Sequence, residues 1–341
     1  RMRDRFGRAA TPVAFAVALL WVVHPLHTES VTYIVQRVES LMGLFYLLTL
    51  YCAIRAWDAS GASSRRWSVA AVAACALGMG SKEVMVSAPL LVAVWDFIFR
   101  SDPHLRSPSF GGQASHRWRL YAGLAATWLI LAILVLTERR GQSVGFSLQG
   151  WTPWTYLLTQ SEVIVHYLRL AAAPLSLVID YGWPRVTSFS AVWLPFLALS
   201  LALAATVIAV ARQHPFGFAG AAFFLTLGPS SSVLPIVTEI AAEHRMYLPL
   251  AAVIATIVTG LYAVAARAAA SVLPSAAMRR AILTTAVVIV AVATIALGLL
   301  TRQRNLDYVS QEALWRDAVL KRPSNARARV TYGLELLKQG R

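Results

Sequence analysis

Charge is scarce in this chain. Only 14% of its 341 residues are Asp, Glu, Lys or Arg, against roughly 25% in soluble globular chains. That deficit argues against a water-bathed domain and for a lipid environment. Cysteine is nearly absent as well. The two present, Cys52 and Cys75, both fall inside apolar runs, which makes them lipid- or core-facing and argues against a disulfide-stapled scaffold. No Walker loop or CxxC knuckle occurs, so the soluble-enzyme templates that rest on those motifs gain no support. The first residue is Arg1 rather than Met, with no recognisable signal peptide, and the chain stops at "LKQGR" inside a helical pattern. Further sequence is expected at both ends.

Apolar sequence fills the space that charge leaves. Hydrophobic residues make up 57% of the chain, and the mean hydropathy is +0.59. Apolar segments lie at 10–23, 41–57, 68–80, 84–99, 120–137, 162–179, 188–211, 216–236, 247–266 and 281–301. Several approach the ~20 residues that a helix needs to cross a hydrocarbon core; those at 68–80 and 84–99 are short and need tilt or help from neighbours. The fold class expected is all-α, a polytopic transmembrane helix bundle. The net charge of +15 sits largely in short clusters between these segments, such as "RMRDRFGR", "SSRRW" and "AMRR". Such clusters mark cytoplasmic loops, which weighs against nucleic acid as the partner.

With "RMRDRFGR" in the cytoplasm, residues 24–40 fall outside, Arg65 and Arg66 inside, the "GSKEV" turn outside, and the basic stretch 100–119 inside. A full span at 162–179 would then put Arg267, Arg279 and Arg280 outside, against the positive-inside tendency. Treating 151–187 as a re-entrant or interfacial excursion on the outer face removes the conflict. "WTPWTY" suits an interfacial aromatic belt, and Pro174 suits a broken helix tolerated inside a bundle. "EIAAEHRMY" and the tail are then external. The tail, 302–341, changes character. "SQEALWRDAVLKRPSNARARVTYGLELLKQGR" alternates charged and apolar residues at helical spacing, like one helix B and the next helix A of a tetratricopeptide array. The chain thus divides into a membrane domain, 1–301, and the start of a repeat region, 302–341; one hairpin cannot bury its own apolar face, so more repeats are expected.

On this topology the ionisable clusters share one face, and near-membrane charges are costly unless paired or lining an aqueous cavity. "HPLHTESVTYIVQRVES" at 24–40 carries His24, His27, Glu29, Arg37 and Glu39. For the histidines a metal pair competes with a helix-end hydrogen-bonding role; Pro25 and the lack of a further ligand set favour the latter. Thr28-Glu29 also suits a helix start. Lys82 and Glu83 are either a wet turn or, for Lys82 with Arg37 or Arg245, charge-assisted donors to a lipid-linked phosphate. Asp180 with Tyr181 is a helix stop before Gly182 or an acidic group facing substrate. Glu243 and Arg245, followed by Tyr247, are an exposed loop ion pair of little energetic weight or part of the shared cleft.

The ordered set "HPLHTESVTYIVQRVESL", "GSKEVMVSAPLLVAVWDF", "YLRLAAAPLSLVIDY" and "EHRMYLPL", with a repeat start after the last span, resembles the transmembrane and tetratricopeptide-repeat-containing O-mannosyltransferases and their bacterial relatives. These belong to the C-type glycosyltransferase superfamily. The resemblance implies a polyprenyl-phosphate sugar as donor, an extracytoplasmic site and an inverting transfer to an acceptor hydroxyl, of protein Ser or Thr in eukaryotic members. The Ala- and Arg-rich composition looks bacterial, implying an inner-membrane protein with site and repeats in the periplasm; a eukaryotic member would lie in the endoplasmic reticulum membrane. The family's acidic first external loop is missing here, so the resemblance puts the principal base before Arg1 and makes this fragment inactive alone, with Glu29 and Glu39 the leading carboxylates within it. His24, His27, Arg37, Lys82, Glu83, Asp180, Tyr181, Glu243, Arg245 and Tyr247 are expected to line the donor and substrate cleft. No resident metal is expected. A non-enzymatic scaffold presenting repeats and a lipid or solute transporter are the competing readings.

Overall fold

The computed structural model describes residues 6–100, 114–137, 151–232, 239–272 and 276–341. Among these every regular element is helical. The helices are α1 (Ala10–Val22), α2 (Thr28–Thr32), α3 (Arg37–Asp58), α4 (Gly61–Met79), α5 (Ala88–Arg100), α6 (Ala114–Thr137), α7 (Pro153–Ala172), α8 (Phe189–Ala211), α9 (Pro215–Leu227), α10 (Tyr247–Val272), α11 (Ala276–Leu306), α12 (Gln311–Lys321) and α13 (Ala326–Lys338). Among the described residues five stretches are long and apolar enough to cross a membrane: Ile34–Asp58, Arg117–Thr137, Phe189–Ala211, Glu243–Arg267 and Arg280–Leu306. The pair Gly7–Val22 and Pro25–Thr32, bent by 54°, makes a sixth if taken as one broken span. The chain is a multi-pass membrane protein.

Burial separates the helices by role. The apolar windows of α8 and α11 are wholly unburied within the protein. Val287, Ile289, Val292, Ile295 and Leu299 of α11 all point outward, a pattern that suits lipid as the surrounding solvent. The interior is built from shorter and mixed helices. Met42, Tyr46, Cys52, Trp57, Cys75, Met79, Met85 and Trp95 form one core between α3, α4 and α5. Both cysteines are buried and free. Small residues set the spacing there: a Cβ on Gly43 would lie 2.5 Å from the Tyr247 ring, and one on Gly78 2.4 Å from Met85.

Side-chain contacts order the two ends of the bundle. At one end Trp57 stacks on Trp95 at 5.2 Å, Arg117 reaches Asp96 at 3.6 Å, and Phe99 meets Phe218 edge-on at 5.7 Å. The other end gathers the polar clusters and is the polar end below. Helix α7 belongs to it along its whole length. Tyr156 donates to Ser230 O at 3.1 Å, Gln160 to Ile240 O at 2.9 Å, and the Tyr167 hydroxyl accepts from the Ala242 amide at 2.7 Å. Near its last turn, His24 Nε2 sits 3.2 Å from Ala171 O. Residues 173–188 then run back beside it to Phe189, which packs near Trp154, where α7 begins.

Several boundaries differ from those read in the sequence. The apolar segment at 162–179 is not one helix. The helix begins at Pro153, where Thr152 forms a reciprocal capping box with Thr155, and stops at Ala172 because Pro174 cannot continue it. Residues 24–40 hold a helix start at Thr28, as expected, between a 3₁₀ turn at Pro25–His27 and a second at Ile34–Gln36; the apolar helix α3 begins earlier than residue 41, at Arg37, with Glu39 in its first turn. The segment at 216–236 is helical only to Leu227; residues 233–236 lie outside the described residues, as do Arg106 and residues 1–5 of "RMRDRFGR". The tail forms two packed helices, α12 capped by Ser310 and α13 capped by Asn325.

Candidate active-site cleft

The polar end is built on buried charge. Glu29, at the start of α2, is 2% exposed. Its carboxylate accepts from the His244 amide at 3.0 Å and faces His244 Nδ1 at 2.7 Å. The contact joins residues 215 positions apart in the chain. Burial pushes the Glu29 carboxyl up to about 7, with the His244 amide and the charges of Arg304 and Lys82 opposing it. The second ring nitrogen of His244 is 3.7 Å from the half-exposed Glu239 carboxylate. An imidazole held through Nδ1 by a buried carboxylate is fixed in orientation and can hold or pass a proton at Nε2.

The neighbouring carboxylates are equally committed. Glu39 is 2% exposed and pairs with Lys82 Nζ at 2.6 Å. Glu243 lies at the head of the 3₁₀ turn Glu243–Met246. One of its oxygens accepts from the Val178 amide at 2.6 Å and from the Tyr181 hydroxyl at 2.7 Å. Burial and the adjacent Glu243 charge raise the Tyr181 hydroxyl well above its usual range. Glu243 and Arg245 do not form the loop ion pair weighed from the sequence, because both are buried and each is held elsewhere. Arg245 donates to the Tyr156 hydroxyl, Ser231, Ile240 O and Glu239 O. A guanidinium so engaged latches the 239–246 turn onto α7.

His24 and His27 are both buried. His24 caps the Pro25–His27 turn through Nδ1, and His27 packs against Trp21 at 4.9 Å and Tyr247 at 4.8 Å. Burial, the dominant cause, lowers His24 to about 4 and His27 to about 3. Both rings are therefore neutral at physiological pH. Among the described residues no three His, Cys, Asp or Glu side chains converge as a metal-ligand group. Tyr247 is half-buried and takes the Trp21 indole N–H on its backbone oxygen at 2.9 Å. Arg37 is exposed and uses only Nε, toward Val31 O at 3.1 Å. Glu83 opens the 3₁₀ turn at Glu83–Ser87. Asp180 sits at the rim: one oxygen accepts from the Gly182 amide at 2.9 Å, and the other is 3.5 Å from Arg327 of the tail.

The structure thus buries Glu29, Glu39, Tyr181, Glu243 and Arg245, each in its own contacts, with Lys82 part-buried on Glu39 and Arg37 in the open. The chain spans only part of the curated relatives that it resembles. It is 30% identical over 194 residues to Protein O-mannosyl-transferase Tmtc2 of Drosophila melanogaster, covering 53% of this chain and 20% of that protein. It is similar to those transferases. A match to Protein O-mannosyl-transferase F38B6.6 of Caenorhabditis elegans, 24% identical over 254 residues, covers 70% of this chain and 33% of the relative. Over 93 residues it is 38% identical to Protein O-mannosyl-transferase TMTC4 of Homo sapiens, covering 26% of this chain and 13% of that one. No family model matches, and no solved structure does.

Several participants carry little signal in the sequence. Tyr156, Gln160, Val163 and Tyr167 share one buried face of α7, a spacing that marks an amphipathic helix without saying what it meets. Arg304, in the last turns of α11, is 5% exposed and bridges Asp307 at 2.9 Å and Asp317 at 2.8 Å. An arginine that deep at the end of an apolar run was the available clue, since burial of its charge needs partners. His244 stands out only within the "EHR" cluster.

Proposed function

We propose that this chain is the membrane portion of a glycosyltransferase that moves a mannose-like hexosyl group from a polyprenyl-phosphate carrier to a hydroxyl of protein Ser or Thr, with inversion, on the extracytoplasmic side. The observation that carries it is the convergence of Glu29, His244, Glu39 and Lys82, from three separate stretches, at one end of a lipid-facing bundle similar to protein O-mannosyl-transferases. The arginines Arg55, Arg117 and Arg212 sit at the opposite end, which supports a cytoplasmic assignment for that end and an outer one for the cleft. Membership of the same family, and of its C-type superfamily, is part of this reading. A bacterial source and a periplasmic cleft fit the composition.

Transfer from a lipid phosphate needs a proton acceptor near the attacking hydroxyl and positive charge where the phosphate departs. In this reading Glu29 orients His244 through Nδ1, leaving Nε2 to take up a proton at the cleft. Lys82 keeps two N–H donors beyond the one given to Glu39, and Arg37 keeps the outer nitrogens of its guanidinium. They are better suited to phosphate than Arg245, whose donors are spent on α7 and the 239–240 backbone. The exposed sides of α8 and α11 offer surface for the carrier's tail, and the repeats offer surface for an acceptor protein.

The test is transfer by the full-length protein from radiolabelled polyprenyl-phosphate mannose to a Ser/Thr peptide. Glu29→Gln and Lys82→Ala are each expected to cut turnover while the protein stays folded. Normal turnover in both would remove them from the site. A non-enzymatic scaffold is favoured by one observation, that Glu29, Glu39 and Glu243 are all held by internal partners. It predicts no transfer from any lipid-linked hexose. A transporter fits less well, because the charged groups gather at one end rather than at the midplane.

A further inference from the structure

Residues 173–188 join α7 to α8 without regular secondary structure. Connections inside compact domains run about 4–6 residues, and much longer structureless ones are usually functional. This strap has two engaged faces. On the inner face, the Val178 amide and the Tyr181 hydroxyl supply both hydrogen bonds found at Glu243 Oε1. On the outer face it carries the tail. Lys321 Nζ donates to Leu177 O at 2.9 Å, Asn325 Nδ2 to Asp180 O at 3.0 Å, and the Arg322 guanidinium lies 5.2 Å over the Tyr181 ring. Ala318 of α12 and Ala328 of α13 are buried in the same apolar cluster as Leu177, Val178 and Tyr181.

The two faces are locked by one glycine. Gly182 has φ +53°, and a Cβ there would lie 2.7–2.9 Å from the Asn325 side chain. A methyl group at 182 is therefore strained in itself and pushes directly on the first repeat hairpin.

We propose that the α12–α13 hairpin is a positioning element of the cleft: its docking fixes Tyr181, and Tyr181 fixes the carboxylate of Glu243. Because Glu243 directly precedes His244, movement of the strap reaches the Glu29–His244 contact. The hairpin is then part of the site, and what the repeats hold can be felt there. That Glu243 and His244 serve catalysis rests on the proposed function; the mechanical coupling does not.

Hydrogen–deuterium exchange on the full chain in lipid nanodiscs tests the coupling without reference to activity. Gly182→Ala and, as a milder variant, Asn325→Ala are expected to speed exchange in 311–338 and, by about tenfold, in 241–246, leaving 37–58 and 189–211 unchanged. Tyr181→Phe keeps the ring under Arg322, so it should loosen 241–246 with the hairpin still docked. Arg322→Ala should behave like Gly182→Ala, and Arg322→Lys should restore protection. In a transfer assay the same variants lower kcat and leave KM for the lipid-linked donor unchanged. Loosening of 311–338 with unchanged exchange in 241–246 overturns the proposal, as does a silent Tyr181→Phe. Coupled exchange without any transfer would instead sink the functional reading and leave this one standing.

Discussion

Truncating Glu29 tests the centre of the polar end most directly. Glu29→Ala strips the His244 amide and Nδ1 of their acceptor in a site where Glu29 is 2% exposed and His244 equally buried. Each of the two buried polar groups left without a partner costs about 1–3 kcal/mol. Glu29→Gln is different. Its amide oxygen can accept from the His244 amide, and its NH₂ can donate to Nδ1 when the ring proton sits on Nε2, so the loss should be about 1 kcal/mol. Chemical denaturation of both variants in detergent micelles, read by tryptophan fluorescence, separates them by about 1–5 kcal/mol. Transfer should still fall by about 10²-fold in the Gln variant, since the carboxylate's hold on the imidazole is gone. Equal stability of the two variants, or an Ala variant within about 1 kcal/mol of wild type, would refute the reasoning.

Other outcomes follow from single contacts. Raised to about 7 in the fold from an ordinary 4.5, Glu29 keeps its proton longer folded than unfolded, so its contribution to stability should fall as pH rises through 4.5 to 7; Glu29→Gln should flatten that slope in pH-dependent denaturation. Gly43→Ala forces a methyl group to 2.5 Å from the Tyr247 ring and should cost about 1–3 kcal/mol, with a changed environment for Trp21 seen in fluorescence. Lys82→Met leaves the buried Glu39 carboxylate alone and should destabilise by about 1–3 kcal/mol; Lys82→Met, Glu39→Gln together should recover most of it. Single cysteines at Tyr33, Trp183 and Val330, in a Cys52→Ser, Cys75→Ser background, should all label from the same side of the membrane, and a split between sides would break the common-face topology.

The bundle was legible because lipid-facing runs announce themselves: α8 and α11 match the apolar segments at 188–211 and 281–301 to within a few residues. The start of α3 was hidden. Glu39 reads as loop by composition, and only its pairing with Lys82 explains a buried carboxylate in a first helical turn. The likeness of Glu243 and Arg245 to an ordinary loop pair was misleading for the same reason. Local charge spacing cannot show that Val178, Tyr181 and α7 arrive from elsewhere to take those groups. Residues brought together across 215 positions, such as Glu29 and His244, are set by tertiary packing, which no local pattern encodes.

The short helices α5 and α9 have a consequence for depth. Each has 13 residues, a rise of about 20 Å against the ~30 Å of a hydrocarbon core. They pack on each other, and Ser87, just before α5, is hydrogen-bonded to Tyr46, nine residues along α3. The turns at 83–87 and 228–232 therefore take up part of the thickness that a full span would cross. A 13-residue helix stops about 10 Å short of a full crossing. Under the proposed function, a phosphate tethered to a long hydrocarbon would approach such turns sideways, from within the leaflet, without leaving it.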